Sequence, residues 1–93
     1  VALFVLIGRD GPRGAELRPR HRPEHLAHLQ PLADAGRVVF AGPLLDDGGA
    51  PCGSVVVFDA ADLESARRFA AGDPYVVEGV FGSWEVFETK RVF

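Results

Sequence analysis

The sequence predicts an α+β domain in which four strands and two helices follow one another in the order βαββαβ, and three observations carry that prediction. Short apolar runs such as Val1 to Ile7 and Ser54 to Phe58 have the length and β-branched content of strands rather than helices. Two other stretches, Pro23 to Ala35 and the segment holding Leu63, Ala66, Phe69 and Ala70, repeat apolar residues at helical spacing. Glycine and proline punctuate the joints between them. Such a chain closes as a four-stranded antiparallel sheet with both helices on one face, the ferredoxin-like plait.

Val1 to Ile7, bounded by Gly8, reads as a strand buried on both faces. Arg9 to Arg20 holds Gly11, Pro12, Gly14 and Pro19 among charged residues and reads as a long loop of the kind that forms lids and binding segments. Pro23 then suits the first position of a helix, where its missing N–H has no partner to lose, and Gly36 marks the stop. Pro31 falls inside that helix and is expected to kink or shorten it. Arg37 to Ala41 is the second strand, closed by Gly42 and Pro43, and Asp46 to Pro51 is a hairpin connection rich in turn residues. Ser54 to Phe58 is the third strand. Asp59 or Asp62 caps the second helix, which Gly72 ends. Asp73-Pro74-Tyr75 forms a turn, and Val80 to Glu88 is the last strand, with Trp84 and Val86 on one face and Phe81 and Phe87 on the other.

A chain of 93 residues is expected to form one domain, residues 1–93, short of buried surface on its own. Three strands are apolar without alternation, although the helices cover only one sheet face. The second face therefore predicts a homodimer packed sheet to sheet, as in dimeric α+β barrels. The net charge of -3, with both signs interleaved, provides no stripe for phosphates, so nucleic acid is not an expected partner. The first apolar run is too short to cross a bilayer and lacks the features of a signal peptide, so no membrane partner is expected either. A lone cysteine, Cys52, fits a reducing, cytoplasmic setting; placed in a loop without a basic neighbour, it reads as an inert thiol.

At about 100° per residue, Leu26, Leu29, Leu32 and Ala33 share a helical stripe with His25 at its edge. A titratable ring on a packing boundary suits catalysis or ligand binding. His21, His25 and His28 are close in sequence, but Pro23 puts His21 outside the regular helix and no metal-ligand spacing is present, so no metal is expected. His28 is expected to be exposed. No glycine-rich phosphate loop is present, and no cofactor is expected. The absence of a Gly-x-Ser-x-Gly elbow disfavours a serine nucleophile.

Arg22-Pro23-Glu24-His25-Leu26, Gly42-Pro43, Gly53-Ser54 and Asp73-Pro74-Tyr75 followed by Gly79 occur in an order and spacing that resembles the YciI-like, or YCII-related, family. The resemblance extends to the basic and apolar end of the chain, Lys90 to Phe93. It implies a ferredoxin-like dimer whose cleft holds a histidine and an aspartate as a proposed active-site pair. These fall on His25 and Asp73, with Arg22 and Ser54 as further polar candidates. One branch of the family is similar to dehydrochlorinases that eliminate HCl from a chlorinated hydroxyhydroquinone.

A carboxylate beside an imidazole makes a general base, because it fixes the tautomer and stabilises the imidazolium. Asp73 has an alternative role as the cap of its own turn, and His25 as a packed helix-edge residue. Arg22 is a candidate to hold an anionic or phenolate substrate through its fork of donors, while Ser54 and Tyr75 are candidates for the cleft wall. Two function classes stay open. One is a cofactor-free lyase or isomerase using His25 and Asp73 on a small phenolic or anionic molecule. The other is a non-catalytic dimer that binds a small molecule in the same cleft.

Overall fold

In a computed structural model, residues 2–93 of the chain are described. Strand β1, Ala2–Asp10, lies at the centre between β3, Pro51–Ala60, and β4, Phe81–Thr89, with β2, Val38–Leu45, outside β3. Every pairing in the resulting sheet, β2-β3-β1-β4, is antiparallel. Three helices join the strands: α1, Gly14–Asp34, α2, Leu63–Ala71, and the single turn α3, Pro74–Val77. The expected plait is present. The start of its first strand at Val1 lies outside the described residues.

Alternation along the two inner strands sorts the core. Phe4 and Leu6 of β1 and Val56 and Phe58 of β3 are almost fully buried against Ala66 and Ala70 of α2. Each large apolar side chain removed from water this way contributes roughly 1.5–3 kcal/mol. Helix α2 follows the sequence reading: the Asp62 carboxylate caps it by accepting from Ser65 N at 2.7 Å. Asp59, the other capping candidate, instead accepts from Arg37 Nε at 2.7 Å.

Helix α1 departs from the expectation. The segment Arg9 to Arg20 is not a long loop; β1 runs to Asp10, and the helix begins at Gly14 and continues past Pro19, Pro23 and Pro31 to Asp34. All three prolines are exposed, as are Ala15 and Ala27, whose carbonyls would have paired with Pro19 and Pro31. Water can therefore take the place of the missing backbone donors, which is how a helix accommodates proline on its outer side. The inward stripe also differs. Leu26 and Ala33 are exposed, whereas Leu17, His25 and Leu29 are buried and Arg18, His21, His28 and Leu32 are half-buried. His21 thus lies within the regular helix. His28 is not exposed: Nε2 lies 2.9 Å from the Phe69 carbonyl and the ring stacks on that of Phe69, tying α1 to α2.

Strand β2 runs through Gly42 and Pro43 instead of closing there, since an edge strand can accept a residue with no N–H to donate. Asp73-Pro74-Tyr75 opens α3 rather than a plain turn, and Cys52 is exposed within β3 rather than in a loop. A register shift between Arg9 and Asp10 pairs Asp10 with Phe81, so Phe81 joins Trp84 on the helix-covered face and not Phe87 on the opposite one. Among the described residues no helix covers that opposite face. Phe40, Val57, Val5 and Phe87 form a continuous cross-strand row on it, and Phe40 and Phe87 are 58% and 51% exposed.

Candidate functional site

Two turns of α1 bring Arg18 and His25 onto one face, and α3 supplies the partner for the second of them. Asp73 is fully buried at the N-cap of α3, where its Oδ1 accepts from Tyr75 N at 2.9 Å. The same oxygen lies 2.7 Å from His25 Nδ1. The structure therefore brings His25 and Asp73 together, and the carboxylate caps its turn and contacts the imidazole at once. An ionised carboxylate only accepts, so Nδ1 carries the proton and the neutral ring keeps its lone pair on Nε2. Asp73 Oδ2 is the one buried side-chain polar atom without a partner among the described residues. His25 Nε2, which has no hydrogen bond there, is accordingly accessible.

Tyr75 holds the imidazole by its face. The two rings are parallel with centroids 3.9 Å apart, and the phenol O–H donates to the Arg18 carbonyl at 3.3 Å. Burial pushes the Tyr75 hydroxyl above its ordinary value of 10.0, against the opposing pull of Arg18 and Arg22. Ser54 is buried on β3, and Arg18 Nη2 donates to its Oγ at 2.9 Å. Arg18 also donates to Asp10 through Nε at 2.7 Å and Nη2 at 3.0 Å, a bidentate pair, and lies over the Tyr75 ring at 5.0 Å. Gly14 is needed for this arrangement: a Cβ there would stand 2.6 Å from the Asp10 carboxylate.

These groups line one cavity of about 370 Å³ between α1 and the β2-β3 side of the sheet. Its polar lining is Arg18, Arg22, His25, Ser54 and Tyr75; Leu26, Leu29, Pro43, Pro51 and Val56 supply much of the apolar wall. All the residues singled out from the sequence thus meet there except Asp73, which stands behind His25. Arg22 is exposed on the lining and has no ion pair among the described residues. Arg18 and Asp10 were missed because their segment read as a loop. Once the helix is extended upstream, Arg18 stands seven residues before His25, two turns on the same face, and that spacing is the signal. Among the described residues no three histidine, cysteine, aspartate or glutamate side chains gather as a metal site; the nearest carboxylate contact of His21 is Glu24 Oε2 at 3.4 Å.

A ferredoxin-like plait of the dimeric α+β barrel class, with a buried carboxylate behind an accessible imidazole in an apolar cavity, is the kind of protein that fold and site define. The chain belongs to the YCII-related domain family, whose model matches residues 2–90. It is 40% identical over 97 residues to protein YciI of Escherichia coli, covering 98% of this chain and 99% of that one. An uncharacterised protein of Haemophilus influenzae is 35% identical over 96 residues, covering 97% of this chain and 98% of that one. Among solved structures it is similar to the 5-chloro-2-hydroxyhydroquinone dehydrochlorinase TftG of Burkholderia phenoliruptrix, in complex with 2,5-dihydroxybenzoquinone. That likeness has a TM-score of 0.85 and 27% identity, and covers 95% of this chain and 93% of that one. No helix among the described residues is long and apolar enough to cross a membrane.

Proposed function

We propose that this protein is a small cofactor-free enzyme of lyase or isomerase type, with His25 as general base and Asp73 as the residue that orients it. The observation that carries the reading is the 2.7 Å contact of Asp73 with Nδ1 of a histidine that lines an apolar cavity and keeps Nε2 accessible. Nε2 takes a proton from a small phenolic or anionic substrate, and the electron pair left behind moves into the substrate. In an elimination, the leaving group departs with its bonding pair, and the imidazolium then returns its proton to water. Arg22 positions negative charge at the cavity, while Ser54 and Tyr75 form its polar wall. The similarity to a dehydrochlorinase supports a substituted hydroxylated ring as the substrate class.

We also propose that two copies pack through the uncovered sheet faces, on the strength of the Phe40, Val57, Val5 and Phe87 row. The lone exposed Cys52 fits a cytoplasmic setting.

The test is chloride release from a chlorinated hydroxyhydroquinone, with binding of 2,5-dihydroxybenzoquinone measured in parallel. Native protein is expected to release chloride, and His25→Gln to be slower by roughly a hundredfold or more while still binding the quinone. Equal binding by both proteins with no conversion by either would assign the cleft to non-catalytic ligand binding instead.

A further inference from the structure

We propose that β4 is a joining edge: two copies of this chain pair antiparallel along it, about a two-fold axis through Thr89, and each takes up residues 90–93 of the other. The two edges of the sheet are built differently. Strand β2 carries Pro43, which has no N–H to offer, and its pairing with β3 shifts register twice, between Val38 and Phe40 and between Leu44 and Leu45. Proline and bulges are devices by which an edge strand blocks further pairing. From Ser83 to Thr89, β4 has neither: it holds no proline, and its register with β1 is unbroken from Arg9↔Ser83 to Leu3↔Thr89. A groove of about 470 Å³ lies beside that edge, lined by Arg67 of α2 and by Trp84, Glu85, Val86 and Phe87. Past the last pair, residues 90–93 continue as exposed chain outside any element, with Val92 and Phe93 both apolar.

Charge and register select the occupant and the axis. Side chains alternate between the faces of a strand, so a two-fold axis that keeps each face continuous passes through a residue. An axis at Glu88 sets glutamate against glutamate, and one at Lys90 sets lysine against lysine; like charges directly opposite are destabilising. An axis at Phe87 leaves Glu88 against Val86. At Thr89, Glu88 meets the partner's Lys90 and Val86 meets the partner's Val92 on the helix-covered face, while Phe87 meets the partner's Arg91 on the other. Symmetry repeats each of these pairs. Neither Glu88 nor Lys90 has an ion pair among the described residues, so both charges are available to the second copy. The partner's Val92 then enters the groove beside Trp84 and Val86.

The test is disulfide formation across the axis. In a Cys52→Ser background, Thr89→Cys sets the one thiol opposite its symmetry copy. Mild oxidation is expected to join two chains roughly tenfold or more faster than it joins Ser83→Cys, which lies on the same edge with no residue opposite it. Adding Lys90→Glu should bring that rate down to the Ser83→Cys level, and adding Glu88→Lys as well should restore it. Phe40→Asp, which disturbs the uncovered sheet face, should leave the rate unchanged, so the outcome is read independently of packing through that face. Equal rates for the two thiols, indifference to Lys90→Glu, failure of the charge exchange to restore joining, or loss of joining in Phe40→Asp would each overturn the proposal.

Discussion

Substitution of Asp73 separates contributions that meet on one oxygen. Oδ1 accepts from both His25 Nδ1 and Tyr75 N, in a fully buried position. Asp73→Ala removes a charge-assisted hydrogen bond of about 1.5–3 kcal/mol and a helix cap of about 1 kcal/mol, so a loss of about 3–5 kcal/mol is expected once the small void is included. Asp73→Asn keeps an acceptor in the place of Oδ1. Its amide nitrogen, however, lands where Oδ2 has no partner, and two stranded donors cost about 1–3 kcal/mol. Urea unfolding, followed by the fluorescence of Trp84, the one tryptophan, compares the three proteins at constant m. In a heating experiment each kcal/mol corresponds to about 4–8 °C for a domain of this size. If Asp73→Asn matched native protein, or Asp73→Ala were no worse than Asp73→Asn, the shared-oxygen account of this site would be wrong.

Two further outcomes follow from the same geometry. Tyr75 is the one tyrosine, so tyrosinate absorbance reports it alone, and burial should place its midpoint above 10.0 in the folded protein. The unfolded chain releases that proton first; the stability it confers is full below pH 10 and lost as pH rises through the folded value, and Tyr75→Phe should flatten that alkaline decline. A midpoint at or below 10.0 would contradict the burial account. For the dimer, Phe40→Asp combined with Phe87→Asp puts two carboxylates into the apolar row, and sedimentation should shift from dimer to monomer; native protein sedimenting as a monomer would refute the interface.

The strands were legible because their apolar runs are short and β-branched, and α2 because its buried face is alanine, leucine and phenylalanine at regular spacing. His25 was singled out by its place at the edge of a helical stripe, whereas its pairing with Asp73, 48 residues away, was named through the resemblance and not through periodicity. Helix α1 was half hidden for a physical reason. Its inward stripe carries Arg18, His21, His25 and His28, which read as polar, while Pro19 read as part of a loop, Pro23 as the helix start and Pro31 as a kink. A helix built to face a polar site loses the pattern by which helices are found. The face of Phe81 was misread because the register shift opposite Asp10 interrupts strict alternation, which nothing in the local sequence announces.

The placement of His25 has a consequence for how this scaffold can diversify. Its edge and its face are held by Asp73, the N-cap of α3, and by Tyr75 two residues further on, whereas Pro43 and Pro51, on the far wall of the cavity, belong to the β2-β3 hairpin. That hairpin lies at the edge of the sheet and donates nothing to the imidazole. In the proposed function, proton handling and molecular choice are therefore separable: exchanging the hairpin would give a new appetite to the cavity and leave His25 and Asp73 where they stand.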